Sequence, residues 1–251
     1  MIAAAVLGQS QNAKYVATME KNVAALDTSR SIELLQPLEN TFERIASADK
    51  GEWLPLYYAA YCNINMTYNT KGNAIVTTGV GQHQMFAAQF FDFKEPRMWL
   101  TSGSMGTMGY GLPAAIGAQF GCPGKLVIDV DGDGSIRMNM GELETCTTYN
   151  LPIKVLLLNN LGDGMVVQWQ TLFHESRFSG TDKSLHKKDF VKAAEADGFH
   201  FAKRVEKRAD LDKTIKEWLA FKGPAFLEVM VDKASFVYPM VGPGKSYKDM
   251  L

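Results

Sequence analysis

From Asn73 onward, short apolar runs rich in β-branched residues alternate with longer helix-forming stretches. The runs are nearly continuously apolar, which is typical of strands buried on both faces of a sheet. Helices between strands favour parallel pairing, because a parallel connection needs a crossover of about a dozen residues or more. We therefore predict an α/β fold with a doubly wound, mostly parallel sheet and flanking helices. The predicted strands are 74–78, 125–130, 154–158, 199–205 and 226–231.

The first 70 residues have a different composition, being polar and helix-prone. An amphipathic pattern over 32–45 predicts a helix that is broken or kinked near Pro37. We predict a helical extension over 1–70, to which the sequence assigns no role, and an α/β domain with a C-terminal tail over 71–251. Within that domain, helices are predicted near 82–91, 109–120, 138–149, 188–197 and 210–221.

Composition excludes several classes of function. The formal net charge is -1 and no long basic run occurs, so neither nucleic acid nor an anionic membrane surface is an expected partner. No apolar run approaches the roughly 20 residues that span a bilayer. The three cysteines form no Cys-x-x-Cys or Cys/His metal spacing, which favours a reducing compartment over a disulfide framework or a zinc site.

Acidic and amide residues follow two of the predicted strands. Asp131-Gly132-Asp133-Gly134-Ser135 comes after strand 125–130, and Asn159-Asn160 comes after strand 154–158. Ligands of parallel sheets bind beyond the carboxyl ends of the strands. If the two strands are neighbours, the Asp133 and Asn160 side chains can reach one cation, and Mg²⁺ prefers such oxygen ligands. Each segment alone is also compatible with a plain turn, but the pair is more specific.

Two glycine-containing segments belong to the same group of loops. Gly79-Val80-Gly81-Gln82-His83 follows strand 74–78, and a stretch rich in glycine runs over 101–113. The first could be an ordinary helix start with exposed polar residues, and the second a structural loop that crosses the sheet edge. Their position beside the other two loops favours close approach to a cofactor, with Gln82 and His83 as neutral or cationic donors.

Together these segments resemble acetolactate (acetohydroxyacid) synthase, a thiamine diphosphate enzyme. The spacing of Gly-Asp-Gly and Asn-Asn is similar to the thiamine diphosphate motif. The residues at 75–85, 106–113 and 164–170 resemble three motifs of acetolactate synthase. The resemblance covers about residues 72–251. It is nearest to the C-terminal diphosphate-binding domain of the catalytic (large) subunit of fungal-type enzymes, and it implies the thiamine diphosphate-binding fold.

The resemblance implies a role for each matching residue. Mg²⁺ would be held by Asp133, Asn160 and the main-chain carbonyl of Gly162, and the helix start after Ser135 would donate N–H groups to the diphosphate. Among the catalytic residues, Met108 would force the bent cofactor shape, Met165 would wall the site, and Trp169 would shape the pocket for the second 2-oxo acid. The implied cofactor contacts are Val80, Gly81, Gln82, His83, Gly106, Met108, Asp133, Gly134, Ser135, Asn160, Met165 and Val166.

The implied reaction is decarboxylation of pyruvate and carboligation to a second pyruvate or to 2-oxobutyrate, in branched-chain amino acid biosynthesis. Fungal-type enzymes are mitochondrial, although residues 1–21 form no clear transit peptide; a cytoplasmic location is the alternative. The family also contains FAD, mostly in a middle domain that has no counterpart in residues 1–70.

The family's general-base glutamate lies in an amino-terminal pyrimidine-binding domain, and no matching motif occurs in this chain. General acid–base catalysis contributes about 10²–10⁴-fold, so we expect little activity without that domain. The prediction is therefore a homo- or hetero-oligomer with a chain that carries it. A truncated or non-catalytic thiamine diphosphate-binding protein, and another thiamine diphosphate-dependent 2-oxo acid decarboxylase, are the alternatives; Trp169 in its motif argues against the decarboxylase.

Overall fold

The computed structural model describes residues 13–28, 74–91 and 95–250, together with isolated positions between 34 and 45. Contacts divide the chain into two compact units, Met1–Gly72 with Val237–Leu251 and Asn73–Phe236. The first unit contains helix α1, Ala13–Thr28. Because most of residues 1–70 lie outside the described part, the role of that segment and the predicted domain boundaries stay predictions.

The amphipathic stretch predicted over 32–45 is helical at the positions that are described. Leu34, Leu38, Phe42 and Ile45 are all helical, and Phe42 is fully buried. In the part of the chain that the structure describes, no helix combines the length and the apolar character needed to cross a bilayer.

The second unit is built on a parallel sheet, which confirms the predicted fold class. Within the described residues the sheet has six strands in the order β2-β1-β3-β4-β6-β5, and every neighbouring pair is parallel. The strands are β1 Ile75–Thr78, β2 Trp99–Thr101, β3 Val127–Gly132, β4 Lys154–Asn159, β5 Phe201–Val205 and β6 Ala225–Met230.

Strand β5 begins two residues later than predicted, and strands β2 and β3 depart further from the sequence-based expectation. The edge strand β2 was not predicted, because three half-buried residues are too short to show an apolar pattern. Strand β3 runs two residues further than predicted, so Asp131 and Gly132 belong to the strand and not to the loop after it. Pairing with β4 explains the extension, since Asp131 lies opposite Leu157 and Gly132 lies opposite Leu158.

Helices lie between the strands along the described part of this unit. They are α2 Gln82–Phe90, α3 Gly111–Gly121, α4 Leu143–Thr148, α5 Gly164–Phe173, α6 Phe190–Ala196 and α7 Leu211–Ala220. Helix α5 was not predicted from the sequence, although its segment contains the family motif at 164–170. Helix α4 is shorter than the helix predicted over 138–149, because two 3₁₀ turns, Ile136–Met138 and Met140–Glu142, occupy its first part.

The core lies between the central strands and the helices. Val127, Val155 and Leu157 are completely buried, and Phe226 packs edge-on against Phe199 with ring centroids 6.2 Å apart. Burying one such side chain stabilises the fold by about 1.5–3 kcal/mol. This packing explains the continuous apolar runs, because both faces of β3, β4 and β6 are covered.

Strand register brings the carboxyl ends of the central strands to one edge. Thr78 of β1 lies opposite Val130 of β3, and Gly132 of β3 lies opposite Leu158 of β4. The loops that follow β1, β3 and β4 therefore start at nearly the same position along the strand direction, at one edge of the sheet. The polar residues of the sequence motifs occupy these loops.

Candidate functional site

Asp133, the first residue after β3, carries a carboxylate that is buried but lacks partners. It is 1% exposed, and neither oxygen accepts a hydrogen bond of good geometry from any described residue. Burial raises the pKa of Asp133 from 3.8 to about 6; the Arg137 guanidinium opposes this shift and the Asp163 carboxylate adds to it. A buried carboxylate of this kind is costly unless a cation compensates it. The group therefore fits a metal ligand.

Asn160 follows β4 and lies beside Asp133. The main-chain amide of Asn160 is close enough to the Asp133 carboxylate to lower its pKa slightly, against the larger effect of burial. The Asn160 side-chain oxygen accepts from the Gly162 amide at 3.1 Å, and its NH₂ group donates to Gln82 Oε1 at 3.3 Å. Thus the three predicted metal ligands lie on adjacent strand ends, while their metal-binding role stays a prediction.

The loop after β1 meets this site through Gln82 and His83. Gln82 is buried and donates to Gln168 Oε1 of α5 at 3.0 Å, so it links Asn160 to that helix. His83 Nε2 lies 3.4 Å from Asp131 Oδ1. Burial lowers the pKa of His83 to about 3, although a hydrogen bond with the Gly79 backbone opposes the shift. His83 is therefore neutral near pH 7, which favours the neutral form among the two donor states predicted from the sequence.

Ser135 joins three of the predicted loops. It is 1% exposed, and its hydroxyl oxygen accepts from the Val80 amide at 3.1 Å and from the Gly109 amide at 2.9 Å. The hydroxyl also donates to Asp131, where this hydrogen bond lowers a pKa that burial raises to about 7. The side chain thus aligns the loops, and its contact with the diphosphate stays a prediction.

The segment after Ser135 does not begin an α-helix, and its predicted donation of N–H groups to the diphosphate stays a prediction. A three-residue 3₁₀ turn, Ile136–Met138, follows instead. Asn139 ends it with φ -133° and ψ 27°, outside the helical region. The reason is tertiary, because the Asn139 side chain donates to the Gly109 carbonyl at 2.8 Å and holds the glycine-rich loop.

The glycine-rich loop places Gly106 and Met108 beside the other loops. Gly106 has φ +63°, and a Cβ atom on it would lie 3.6 Å from Val80 Cγ1. The terminal carbon of Met108 lies 3.3 Å from the position that a Cβ on Gly134 would take. Met108 is half-buried. These contacts bring the loops after β1, β2 and β3 together around one space.

Two glycines leave this space open because any side chain would collide with the polar site. A Cβ on Gly134 would overlap Asp163 Oδ1, and one on Gly164 would overlap the amide groups of Gln82 and Asn160. Backbone that approaches functional groups this closely requires glycine. The cradle fits an extended polar group such as a diphosphate.

Helix α5 carries Met165, Val166 and Trp169. Val166 is 48% exposed and Met165 is half-buried. The ring of Trp169 packs against Phe173 with centroids 5.0 Å apart. These side chains are apolar and partly exposed, and their predicted roles as wall and pocket of the site stay predictions.

Residues 79–229 match the thiamine pyrophosphate enzyme family, C-terminal TPP binding domain. The chain belongs to this family. It is 50% identical over 183 residues to the mitochondrial acetolactate synthase catalytic subunit of Saccharomyces cerevisiae, which covers 73% of this chain and 26% of that protein. Mitochondrial acetolactate synthase of Schizosaccharomyces pombe is 50% identical over 182 residues, covering 72% of this chain and 26% of the relative.

A plant protein shows the same similarity. Chloroplastic acetolactate synthase 1 of Nicotiana tabacum is 44% identical over 207 residues, or 80% of this chain and 30% of the relative. The matched region of this TPP-binding chain therefore corresponds to between a quarter and a third of the length of these relatives.

Sequence reasoning missed two residues of the TPP-binding domain's polar site. Gln168 lies inside the motif at 164–170 but received no role, although it is the partner of Gln82. Asp163 pairs with Lys183 at 2.7 Å, and its other oxygen is buried without a hydrogen bond from any described residue. The Gly-Asp-Gly repeat at 162–164 was the available signal. No group of three or more His, Cys, Asp or Glu among the described residues is placed to hold an ion.

Proposed function

We propose that this chain is the diphosphate-binding part of an acetolactate synthase. It binds thiamine diphosphate together with Mg²⁺, whose ligands are Asp133, the Asn160 side chain and the Gly162 carbonyl. The observation that carries the proposal is the Asp133 carboxylate, buried without hydrogen bonds from the described residues next to Asn160 on the neighbouring strand end. Family membership and the similarity to three acetolactate synthases support the same conclusion.

The protein's own contribution is to bind, orient and exclude water. Asp133 supplies the negative charge for the cation. Gln82 Oε1 accepts a hydrogen bond from the Asn160 NH₂ group, so the Asn160 side-chain oxygen is left facing away from Gln82. Gly134 and Gly164 leave room for the phosphates, while Met108 packs against the cofactor. Bound thiamine diphosphate supplies the electron sink for decarboxylation of a 2-oxo acid.

The substrates in this proposal are pyruvate and, as second acceptor, pyruvate or 2-oxobutyrate. Trp169 of α5 shapes the pocket for the acceptor, and Val166 forms part of the wall of the site. Activity requires a pyrimidine-binding domain that bears the general-base glutamate, whether on the same polypeptide or on a partner. A mitochondrial location agrees with the names of the two fungal relatives.

Calorimetry with thiamine diphosphate, with and without Mg²⁺, tests the proposal. We expect tight binding by the wild-type chain only in the presence of Mg²⁺, and no Mg²⁺-dependent binding by Asp133→Ala. Asp212→Ala is the matched control, because it removes a partly exposed carboxylate on α7, ion-paired to Arg208 at 3.5 Å. Unchanged affinity in Asp133→Ala would refute the metal assignment.

A second measurement separates an enzyme component from a cofactor-binding protein. The chain is mixed with a separately produced pyrimidine-binding domain of an acetolactate synthase, and acetolactate formation from pyruvate is assayed. Product formation that is lost in Asp133→Ala supports the proposed activity. Cofactor binding without product under these conditions would favour a non-catalytic role.

A further inference from the structure

The turn after β4 carries an unusual backbone conformation. Leu161 has φ +56°, in the left-handed region that a leucine rarely adopts. Two side chains support the turn: Asn159 Oδ1 accepts from the Leu161 amide at 2.9 Å, and Asn160 Oδ1 accepts from the Gly162 amide at 3.1 Å. A conformation of this kind persists only when its surroundings determine it.

A buried glutamate on the neighbouring strand orients the first of these asparagines. Glu228 of β6 is 0% exposed, and its Oε1 accepts from Asn159 Nδ2 at 2.7 Å. An ionised carboxylate can only accept hydrogen bonds. It therefore turns the NH₂ group of Asn159 towards itself and leaves the Asn159 oxygen facing the Leu161 amide.

Arg204 of β5 supplies the compensating charge. Its Nε donates to Glu228 Oε2 at 2.6 Å, and its Nη2 donates to Asp189 Oδ1 at 2.9 Å. Arg204 and Glu228 lie directly opposite each other in the sheet. A buried carboxylate is tolerated only with such a partner. One chain of charge-assisted contacts thus runs from β5 through β6 to the turn after β4.

We propose that Glu228 is a positioning residue for the metal site. Through Asn159 it holds the Leu161 backbone in its left-handed conformation and so presents Asn160 and the Gly162 carbonyl to Mg²⁺. Glu228 itself touches neither the cation nor the cofactor. The effect of Glu228 on Mg²⁺ binding rests on the proposed function. Its effect on the conformation of Leu161 does not depend on any bound metal or cofactor.

Amide hydrogen exchange in the cofactor-free chain tests the effect on the turn. In Glu228→Gln the new side chain directs its NH₂ group either at Arg204 or at the NH₂ of Asn159, so one donor loses its acceptor. We expect the Leu161 amide to exchange at least about 10-fold faster relative to the amides of β4. Glu217→Gln is the matched control, because it breaks a 2.7 Å ion pair with Lys203 on the protein surface.

The Mg²⁺ dependence of thiamine diphosphate binding provides the second readout. Loss of a contact that orients metal ligands typically lowers metal affinity by 10–100-fold, so the Mg²⁺ concentration at half-saturation should rise by about 10-fold or more in Glu228→Gln. If Glu228 only stabilises the sheet, the melting temperature falls while the half-saturation point and the relative exchange of Leu161 do not change. That result would overturn the inference.

Two further variants keep the test decisive. Arg204 is 30% exposed, so Arg204→Gln is the replacement to use if Glu228→Gln does not fold, and it should shift both readouts in the same direction by less. Adding Leu161→Gly should restore part of the Mg²⁺ affinity, because glycine adopts the left-handed conformation readily. A wild-type chain without Mg²⁺-dependent binding would refute the proposed function, and the Leu161 exchange rates would still decide the role of Glu228.

Discussion

Replacing Asp133 by asparagine should stabilise the metal-free chain while removing its function. Burial raises the pKa of Asp133 from 3.8 in the unfolded chain to about 6 in the folded chain. The folded chain therefore binds the proton more tightly than the unfolded chain does. At about 1.4 kcal/mol per unit, the ionised carboxylate lowers the free energy of unfolding by up to about 3 kcal/mol at pH 7. Asparagine keeps the shape and carries no charge, so Asp133→Asn should gain about 1–3 kcal/mol.

The gain depends on pH in a defined direction. Below about pH 4 the carboxyl group is protonated in both the folded and the unfolded chain, and the variant has no advantage from charge. Between about pH 4 and 6 the unfolded chain loses its proton first, so the wild type loses stability as the pH rises. Above the folded-state pKa of about 6 the difference is constant.

Urea unfolding in EDTA at several values between pH 4 and 7 measures this difference, with Asp212→Asn as the control. Adding Mg²⁺ and thiamine diphosphate should reverse the order, because a ligand at 1,000 times its dissociation constant stabilises the folded wild type by about 4.1 kcal/mol and leaves the variant unchanged. A wild-type–variant difference that is the same at every pH would refute the reasoning from burial.

Three further predictions concern the loops and the core. Ser135→Ala leaves two loop amides without their acceptor and should lower the free energy of unfolding by about 1–3 kcal/mol in urea titrations, whereas the exposed Ser184→Ala should change it by less than about 0.5 kcal/mol. Gly164→Ala forces its Cβ into Gln82 and should weaken thiamine diphosphate binding at least about 10-fold in calorimetry. Burial, reinforced by Asp129, raises the pKa of Cys146 to about 12, so mass spectrometry should find it unmodified by iodoacetamide at pH 8 in the folded chain, while the exposed Cys122 reacts.

Different results would contradict each of these predictions. Unchanged stability in Ser135→Ala would mean that the loops are aligned by other contacts. Wild-type affinity in Gly164→Ala would show that the cradle has room for a methyl group. Alkylation of Cys146 at the rate of Cys122 would show that the core opens under native conditions.

The amino-acid sequence was sufficient to predict the sheet and the neighbourhood of its loops. Strands covered on both faces carry continuous apolar runs, and a parallel sheet places the residues after each strand at one edge. Asp133 and Asn160 could therefore be placed on adjacent strand ends before any contact was known. The short edge strand β2 and the helix α5 were missed, because neither has a clear local pattern of its own.

Only the tertiary structure decided how the site is held together. Ser135 meets Val80 across 55 residues, and Glu228 meets Asn159 across 69. A local pattern contains no information about such pairings, since hydrogen bonds between distant segments depend on strand order and register. The neutral state of His83 also could not be predicted from a local pattern, because burial by the whole fold lowers its pKa. Sequence thus determined which chemical groups face the sheet edge, and three-dimensional packing determined their orientation and charge.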